Sequence, residues 1–163
     1  MNKEQIYKEL LRDLEALVDG VEGCAVGVLA NAAALIYERT GYFWVGFYMV
    51  DSSHKDMQGD VKNGVLKLGP FQGTPACYRI GYGKGVCGTA WKRGESIVVA
   101  DVEEFEGHIA CSSLSRSEIV VPLFDRDGRV AGVLDIDSTE LNAFDDIDRI
   151  NLESACRIIE RNI

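Results

Sequence analysis

The sequence lacks a long apolar segment, an excess of basic residues and a C-x-x-C metal knuckle, and each absence argues against a class of function. No run approaches the roughly 18 consecutive apolar residues of a membrane span, and the charged N-terminus has no apolar core of a signal peptide. The chain carries 17 Lys and Arg against 26 Asp and Glu, a formal net charge of −9. This acidic balance disfavours nucleic acids and anionic membranes as partners. We therefore expect a cytoplasmic protein.

The 163 residues fit one domain, 1–163, with a sizeable core. Apolar residues at helical spacing predict helices over residues 3–19 and 21–39 and from about 145 to 161, with a short helix near 86–92. Aromatic and β-branched runs predict strands at 42–50, 64–69, 96–100, 118–125 and 129–137, with another short strand before residue 81. Helices at both ends with hairpin-linked strands between them indicate an α+β fold, in which helices pack on one antiparallel sheet.

Five cysteines in a cytoplasmic chain should not form permanent disulfides. Cys24 and Cys156 lie at helical spacing from apolar residues, so we expect both to be buried as small hydrophobes. Cys77, Cys87 and Cys111 lie on no clear core stripe, among Gly, Ser, Thr and Pro. Any one of these three could be an inert loop thiol, but three together favour chemistry.

Three chemistries are open to the loop cysteines. Zinc could be held by Cys77, Cys87, His108 and Cys111, although their spacing is unlike that of zinc fingers or ribbons. A Cys-His hydrolase would have to use His108 or His54, the two histidines of the chain, and no nucleophile signature accompanies them. Thiol redox chemistry needs an attacking thiol and a second thiol that can reach it. Three loop cysteines meet that requirement best.

Three carboxylates are predicted to meet at one end of a hairpin. The dipeptide Asp-Gly at 127–128, between two apolar runs, predicts a two-residue turn. In that register Glu118 lies opposite Asp137, and Asp135 shares their face, while the other face carries core residues. A solvated acidic strand end is the alternative, but the remaining side chains of the acidic face are apolar. Because grouped carboxylates repel, at least one should hold a proton near neutrality while its neighbours bind a cation.

The strand predicted at 42–50 adds a wall to this site. Trp44, Gly46 and Tyr48 share one face by alternation, and Gly46 leaves room between the two rings. The alternative is that these are ordinary core aromatics.

Five sequence blocks in order resemble the free methionine-R-sulfoxide reductases, which are built on a GAF domain. They are FQGTPAC (71–77), GKGVCGTA (83–90), GHIAC (107–111), SEIVVPL (117–123) and GVLDIDS (132–138). The resemblance extends over nearly the whole chain. It implies a six-stranded antiparallel sheet with the N- and C-terminal helices on one face and a ligand pocket on the other.

The resemblance also implies roles for individual residues. Cys111 matches the attacking cysteine, and Cys77 and Cys87 match the resolving and relay cysteines, without indicating which of them reacts first. The matches in the pocket are the acids Glu118, Asp135 and Asp137, which would protonate the sulfoxide and hold the substrate ammonium, and the aromatic wall of Trp44 and Tyr48.

The implied activity is the thiol-dependent reduction of free L-methionine-R-sulfoxide to L-methionine, through a cysteine sulfenic acid and an intramolecular disulfide. No cofactor is implied, and an external dithiol, thioredoxin-like, would restore the enzyme. The alternative is a GAF-domain sensor of small molecules or redox state without catalysis, which the lack of an appended output domain disfavours. The oligomeric state, a homodimer included, is open from sequence.

Overall fold

A computed structural model describes residues 2–51, 53 and 64–163, and in these ranges it has the predicted α+β architecture. Most of the predicted polar connection after the first strand, His54 included, lies outside the described residues. None of the described helices is long and apolar enough to cross a membrane. The elements are α1 (Lys3–Val18), α2 (Ala25–Thr40), β1 (Trp44–Asp51), β2 (Val65–Gln72), β3 (Arg79–Gly81), α3 (Gly85–Arg93), β4 (Ile97–Val99), β5 (Ser117–Phe124), β6 (Val130–Ser138) and α4 (Asp146–Ile159), with 3-10 turns at Val102–Glu104 and Glu160–Asn162.

The strands form one six-stranded antiparallel sheet in the order β3-β2-β1-β6-β5-β4. The helices α1, α2 and α4 cover one face of it and share a core with the inward side chains of β1, β5 and β6. The fold predicted from the resemblance is therefore confirmed. The buried side chains of this core include Leu10, Leu14, Ile36, Phe47, Ile119, Leu134, Ile136, Leu152 and Ile159.

A second apolar cluster lies on the opposite face, where α3 packs against the sheet. Trp44 and Tyr48 of β1 contribute to it, together with Val86, Cys87 and Trp91 of α3. Because strand side chains alternate between faces, β1 supplies Phe47 to the first core and its neighbours Trp44 and Tyr48 to the second. The space between α3 and the sheet is where the candidate site lies.

A buried carboxylate joins the first helix to the last. Asp148 is fully buried and accepts hydrogen bonds from the hydroxyls of Tyr7 and Tyr42, each at 2.7 Å. The ammonium of Lys3 contacts the same carboxylate. Such a buried charge is tolerated because it is paired and fully hydrogen-bonded, so this network fixes α1 against the start of α4.

Two of the cysteine environments differ from the prediction. Cys24 is exposed, because α2 begins only at Ala25 and Cys24 is its N-cap residue. Gly23 adopts the left-handed conformation with φ 69°, so the chain turns just before Cys24. Cys87 lies in α3, the short helix predicted near 86–92, but its thiol is buried rather than open to solvent like that of a loop cysteine. Cys156 is buried in α4, as predicted.

The turn of the β5–β6 hairpin also differs from the predicted two-residue turn. The backbone N–H of Asp125 donates to the carbonyl of Arg129 at 2.8 Å, so the loop has three residues and ends at Gly128 with φ 76°. This looser turn offsets the register by one residue. A bulge between Leu123 and Phe124 removes the offset, and the pairing beyond it is the predicted one.

Candidate active site

The hairpin register brings the three predicted carboxylates together. Glu118 of β5 pairs with Asp137 of β6, and Asp135 lies two residues away on the same face. On the other side of β6, Trp44 pairs with Asp137 and Gly46 with Asp135. Glu118 and Asp135 are only 6% and 7% exposed. The acids therefore lie beside the aromatic strand β1 and beneath α3 rather than at a solvated strand end.

Burial and mutual repulsion keep protons on this cluster. Burial raises the pKa of Glu118 well above its ordinary value, and the charge of Asp137 adds to the effect, while a hydrogen bond from Asp135 opposes it. Burial also raises the pKa of Asp135, as do the charges of Asp137 and Glu118. For Asp137 burial raises the pKa to about 6, although a hydrogen bond from Ser115 and the charge of His108 oppose the rise. At least one proton remains on the cluster near neutral pH.

One atom of the cluster is left without a partner. Oδ1 of Asp135 is buried and makes no hydrogen bond in the described part of the structure. Buried polar atoms are rarely unpaired, and an exception calls for a specific explanation. An N–H donor brought by a ligand would satisfy this oxygen.

Two of the predicted redox cysteines are bonded to each other at the edge of the site. Cys77 follows β2, Cys111 precedes β5, and a disulfide joins them with their Cα atoms 5.4 Å apart. Both residues are partly exposed. The set of four zinc ligands is therefore not assembled, because two of its thiols are joined in this bond.

The third predicted redox cysteine, Cys87, lies deeper, among the acids. Burial raises the pKa of the Cys87 thiol, and the charges of Asp135, Glu118 and Asp137 raise it further. In the described part of the chain, potential metal ligands converge at Cys87, Glu118 and Asp135, whose ligand atoms lie within 4.8 Å of one another. Since all three have raised pKa values, the arrangement favours their protonated forms, which suits proton donation.

The aromatic wall also holds the cysteine loop in place. Nε1 of Trp44 donates to the carbonyl of Thr74 at 2.9 Å, and the hydroxyl of Tyr48 donates to the carbonyl of Cys77 at 2.9 Å. Gly46 leaves the room that alternation predicted: a Cβ there would lie 2.4 Å from Cβ of Phe71 and from Cη2 of Trp44. The rings of Trp44 and Tyr48 lie 6.1 Å apart.

Two pocket residues had no predicted part in this acid site. Nε2 of His108 lies 3.4 Å from Oε2 of Glu118, and Ser115 hydrogen-bonds Asp137. Sequence reasoning had considered His108 only as a zinc ligand or a hydrolase base. The one available signal was its position three residues before Cys111. The direction of its side chain could not be predicted, because this loop has no helical or strand periodicity.

These groups enclose one pocket with an empty volume of about 520 Å³, its mouth included. Seven of the eight predicted site residues line it, and the eighth, Cys77, is bonded to Cys111 at its edge. The lining residues are Phe43, Trp44, Tyr48, Thr74, Pro75, Ala76, Ile80, Gly85, Val86, Cys87, His108, Ile109, Cys111, Ser112, Ser115, Glu118, Asp135 and Asp137.

Comparisons with known proteins agree with this geometry. The model of the GAF domain family matches residues 1–163. The chain is 46% identical to GAF domain-containing protein A of Dictyostelium discoideum over 98% of this chain and 93% of that protein. It is 44% identical to the free methionine-R-sulfoxide reductase of Escherichia coli strain K12, over 99% and 90%. The structure of the Neisseria meningitidis free methionine-R-sulfoxide reductase in complex with its substrate superimposes with a TM-score of 0.90 at 48% identity, covering 99% of this chain and 90% of that one.

Proposed function

This chain belongs to the GAF-domain family of free methionine-R-sulfoxide reductases, and from that membership we propose how its own residues reduce free L-methionine-R-sulfoxide to L-methionine. The observation that carries the proposal is the convergence of Cys111 and three carboxylates on one pocket. A nucleophilic sulfur and a retained proton are the two groups that removal of a sulfoxide oxygen requires.

In the proposed first step the reduced Cys111 attacks the sulfoxide sulfur as a thiolate. A protonated acid of the cluster gives its proton to the sulfoxide oxygen. The protonated oxygen then transfers from the substrate sulfur to Sγ of Cys111, as the S–O bond of the substrate and the sulfur–sulfur bond made by the attack both break. Methionine leaves, and Cys111 remains as a sulfenic acid. The raised pKa values of Glu118 and Asp135 support this step, because one of the two can keep a proton to donate near neutral pH while the other keeps its charge.

The remaining carboxylate charge would hold the substrate ammonium. The unpartnered Oδ1 of Asp135 supports this role, since an ammonium N–H would supply the missing hydrogen bond. The rings of Trp44 and Tyr48 would contact the apolar side chain of the substrate. A methionine sulfoxide within a peptide has no free ammonium, so the proposal explains a preference for the free amino acid.

We propose Cys77 as the first resolving cysteine. Its thiol would condense with the sulfenic acid of Cys111, releasing water and forming the disulfide. The pairing of Cys77 with Cys111 in the structure supports this order. Cys87 is disfavoured as the first partner, because its raised pKa leaves little thiolate. Cys87 would serve as a relay.

An external dithiol, thioredoxin-like, would then reduce the disulfide. The partial exposure of Cys77 and Cys111 supports attack from outside the pocket. We propose a cytoplasmic location on the same chemistry, because a dithiol pool is available there. A homodimer is a separate proposal, which the molar mass from light scattering tests.

The decisive experiment is turnover of free methionine-R-sulfoxide with dithiothreitol as reductant, followed by chromatography of the methionine formed. The S epimer and a methionine sulfoxide within a peptide are the matched substrates, and both should react far more slowly. Glu118→Gln and Asp135→Asn should each lower kcat/KM by roughly tenfold or more. Binding of the sulfoxide without methionine formation would instead favour the sensor interpretation.

A further inference from the structure

His108 is the one pocket residue with a basic side chain among the described residues that line it. Its ring is largely buried, with 15% of the side chain exposed, and Nε2 points to Glu118. An imidazole donates through an N–H and can carry a positive charge. The proposed reduction uses Cys111 and the acids and gives His108 no part.

The substrate presents the pocket with an electrostatic difficulty. A free amino acid carries an α-carboxylate beside its ammonium, and the pocket already holds Glu118, Asp135 and Asp137. A carboxylate among other carboxylates is repelled, and a desolvated charge needs a partner of its own. A pocket that accepts a free amino acid therefore needs a donor close to the ammonium position.

His108 lies where that donor is needed. By standard bond lengths the ammonium nitrogen and the carboxyl carbon of an amino acid are about 2.5 Å apart. The distance of 3.4 Å from Nε2 of His108 to Oε2 of Glu118 is longer than that of a charge-assisted hydrogen bond, about 2.7–2.9 Å. An ammonium on Glu118 would therefore place the adjacent carboxylate within reach of Nε2.

We propose that His108 is the specificity-determining residue that binds the α-carboxylate of the substrate. On substrate binding, Glu118 exchanges its contact with the imidazole for one with the ammonium. The imidazole N–H then donates to the α-carboxylate. This inference rests on the proposed function, since it takes the free amino acid as the ligand and the acids as its ammonium site.

The test is a cycle of two proteins and two substrates. Wild type and His108→Gln are each given free L-methionine-R-sulfoxide and its carboxamide, which keeps the ammonium but has no carboxylate charge. Single turnover of the pre-reduced enzyme measures the methionine or the methioninamide formed without an external reductant. A reaction at about pH 6.5 keeps both ammonium groups protonated, since an α-amino group titrates near 7.7–8.0.

The substitution should lower kcat/KM for the free acid about ten- to a hundredfold, the usual range for a hydrogen bond to a charged group. The substitution should change kcat/KM for the carboxamide little, so that the preference for the free acid disappears. His108→Asn should behave in the same way. Glu106→Gln, which removes an exposed charge from the same loop, should keep the preference, and circular dichroism checks that each variant is folded.

Other outcomes separate the two proposals. Equal losses on both substrates would overturn the role of His108, and the carboxylate would then lie elsewhere, for example against the first-turn amides of α3. An undiminished preference in both His108 variants would overturn it as well. If wild type converts neither substrate, the proposed function fails first, and this inference fails with it.

Discussion

Replacing Asp137 by Asn should stabilise the protein and impair it as an enzyme. Burial raises the pKa of Asp137 from 3.8 to about 6, so the folded protein holds this proton more tightly than the unfolded chain does. As the pH rises, the unfolded chain loses the proton first, and folding stability falls between the two pKa values and stays low above them. At about 1.36 kcal/mol per pKa unit, the ionised side chain costs up to about 3 kcal/mol near neutral pH.

The free energy of unfolding of Asp137→Asn should therefore come close to that of wild type near pH 4, just above the unfolded pKa of 3.8, and exceed it by up to about 3 kcal/mol near pH 7. This figure is an upper value because Asp137 is partly exposed. Loss of its charge also removes a cause of the raised pKa values of Glu118 and Asp135, which acts in the same direction. The enzyme should meanwhile lose roughly tenfold or more in kcat/KM, because an ammonium partner is gone.

Urea unfolding followed by circular dichroism, at about pH 4, 5, 6 and 7, measures the difference directly. All samples must share one redox state, since the Cys77–Cys111 disulfide itself changes stability. Glu104→Gln, which removes a surface carboxylate, is the matched control and should show no such pH-dependent gain. A stability difference for Asp137→Asn that is the same at acid and neutral pH would refute the reasoning.

Three further outcomes are expected. Cys111→Ser should abolish methionine formation, because a neutral hydroxyl is a far poorer nucleophile than a thiolate, and an active Cys111→Ser enzyme would contradict the mechanism. Cys24→Ser should keep full activity and unfold at an equal or slightly higher temperature, since Ser is the better N-cap. Peptide mapping after one turnover should find Cys111 linked to Cys77, and a Cys24-containing disulfide would contradict the assignment. Gly46→Ala should cost about 1–3 kcal/mol of stability by urea unfolding and lower kcat/KM, because the added Cβ displaces Trp44 or the neighbouring strand; unchanged kinetics would show that the wall does not position substrate.

The acid cluster could be predicted from sequence because a strand has a strict period of two. The predicted turn was one residue too short, and the register should have moved with it. The bulge between Leu123 and Phe124 cancels this shift in register. The bulge is favoured because it keeps the apolar side chains of both strands in the core. A one-residue slip would drive Glu118 and Asp135 into the face of Ile119, where unpaired charges are costly.

The environments of the cysteines were harder to predict, because they depend on where helices begin. A helix that starts at residue 21 would bury Cys24, but Gly23 ends the preceding segment and leaves this thiol at an exposed N-cap. Cys87 falls within the helix predicted near 86–92, but the glycines around it gave no sign that its thiol is buried. Two of them instead permit close packing: Gly85 adopts φ 60°, and a Cβ on Gly88 would lie 2.3 Å from a backbone oxygen.

Contacts between the loops and the strands had almost no sequence signal. The contact of His108 with Glu118 joins the loop before β5 to the strand itself, and neither period nor composition fixes such a meeting. The same holds for the hydrogen bonds from Trp44 and Tyr48 to the backbone of residues 74–77. The resemblance to a family named the residues, but the structure was needed to show how they touch.

The two faces of the β5–β6 hairpin have opposite effects on stability, and this explains how the acid cluster persists. Glu118 and Asp135 are buried with raised pKa values, so at neutral pH each costs stability or keeps a proton. On the reverse face Ile119, Leu134 and Ile136 are fully buried, and burial of each such side chain contributes about 1.5–3 kcal/mol. Because the alternation of a strand couples the two faces, the apolar face fixes the register and holds the repelling acids together. The cost of burying the repelling acids is thus offset by the same apolar residues that fix the register of the hairpin.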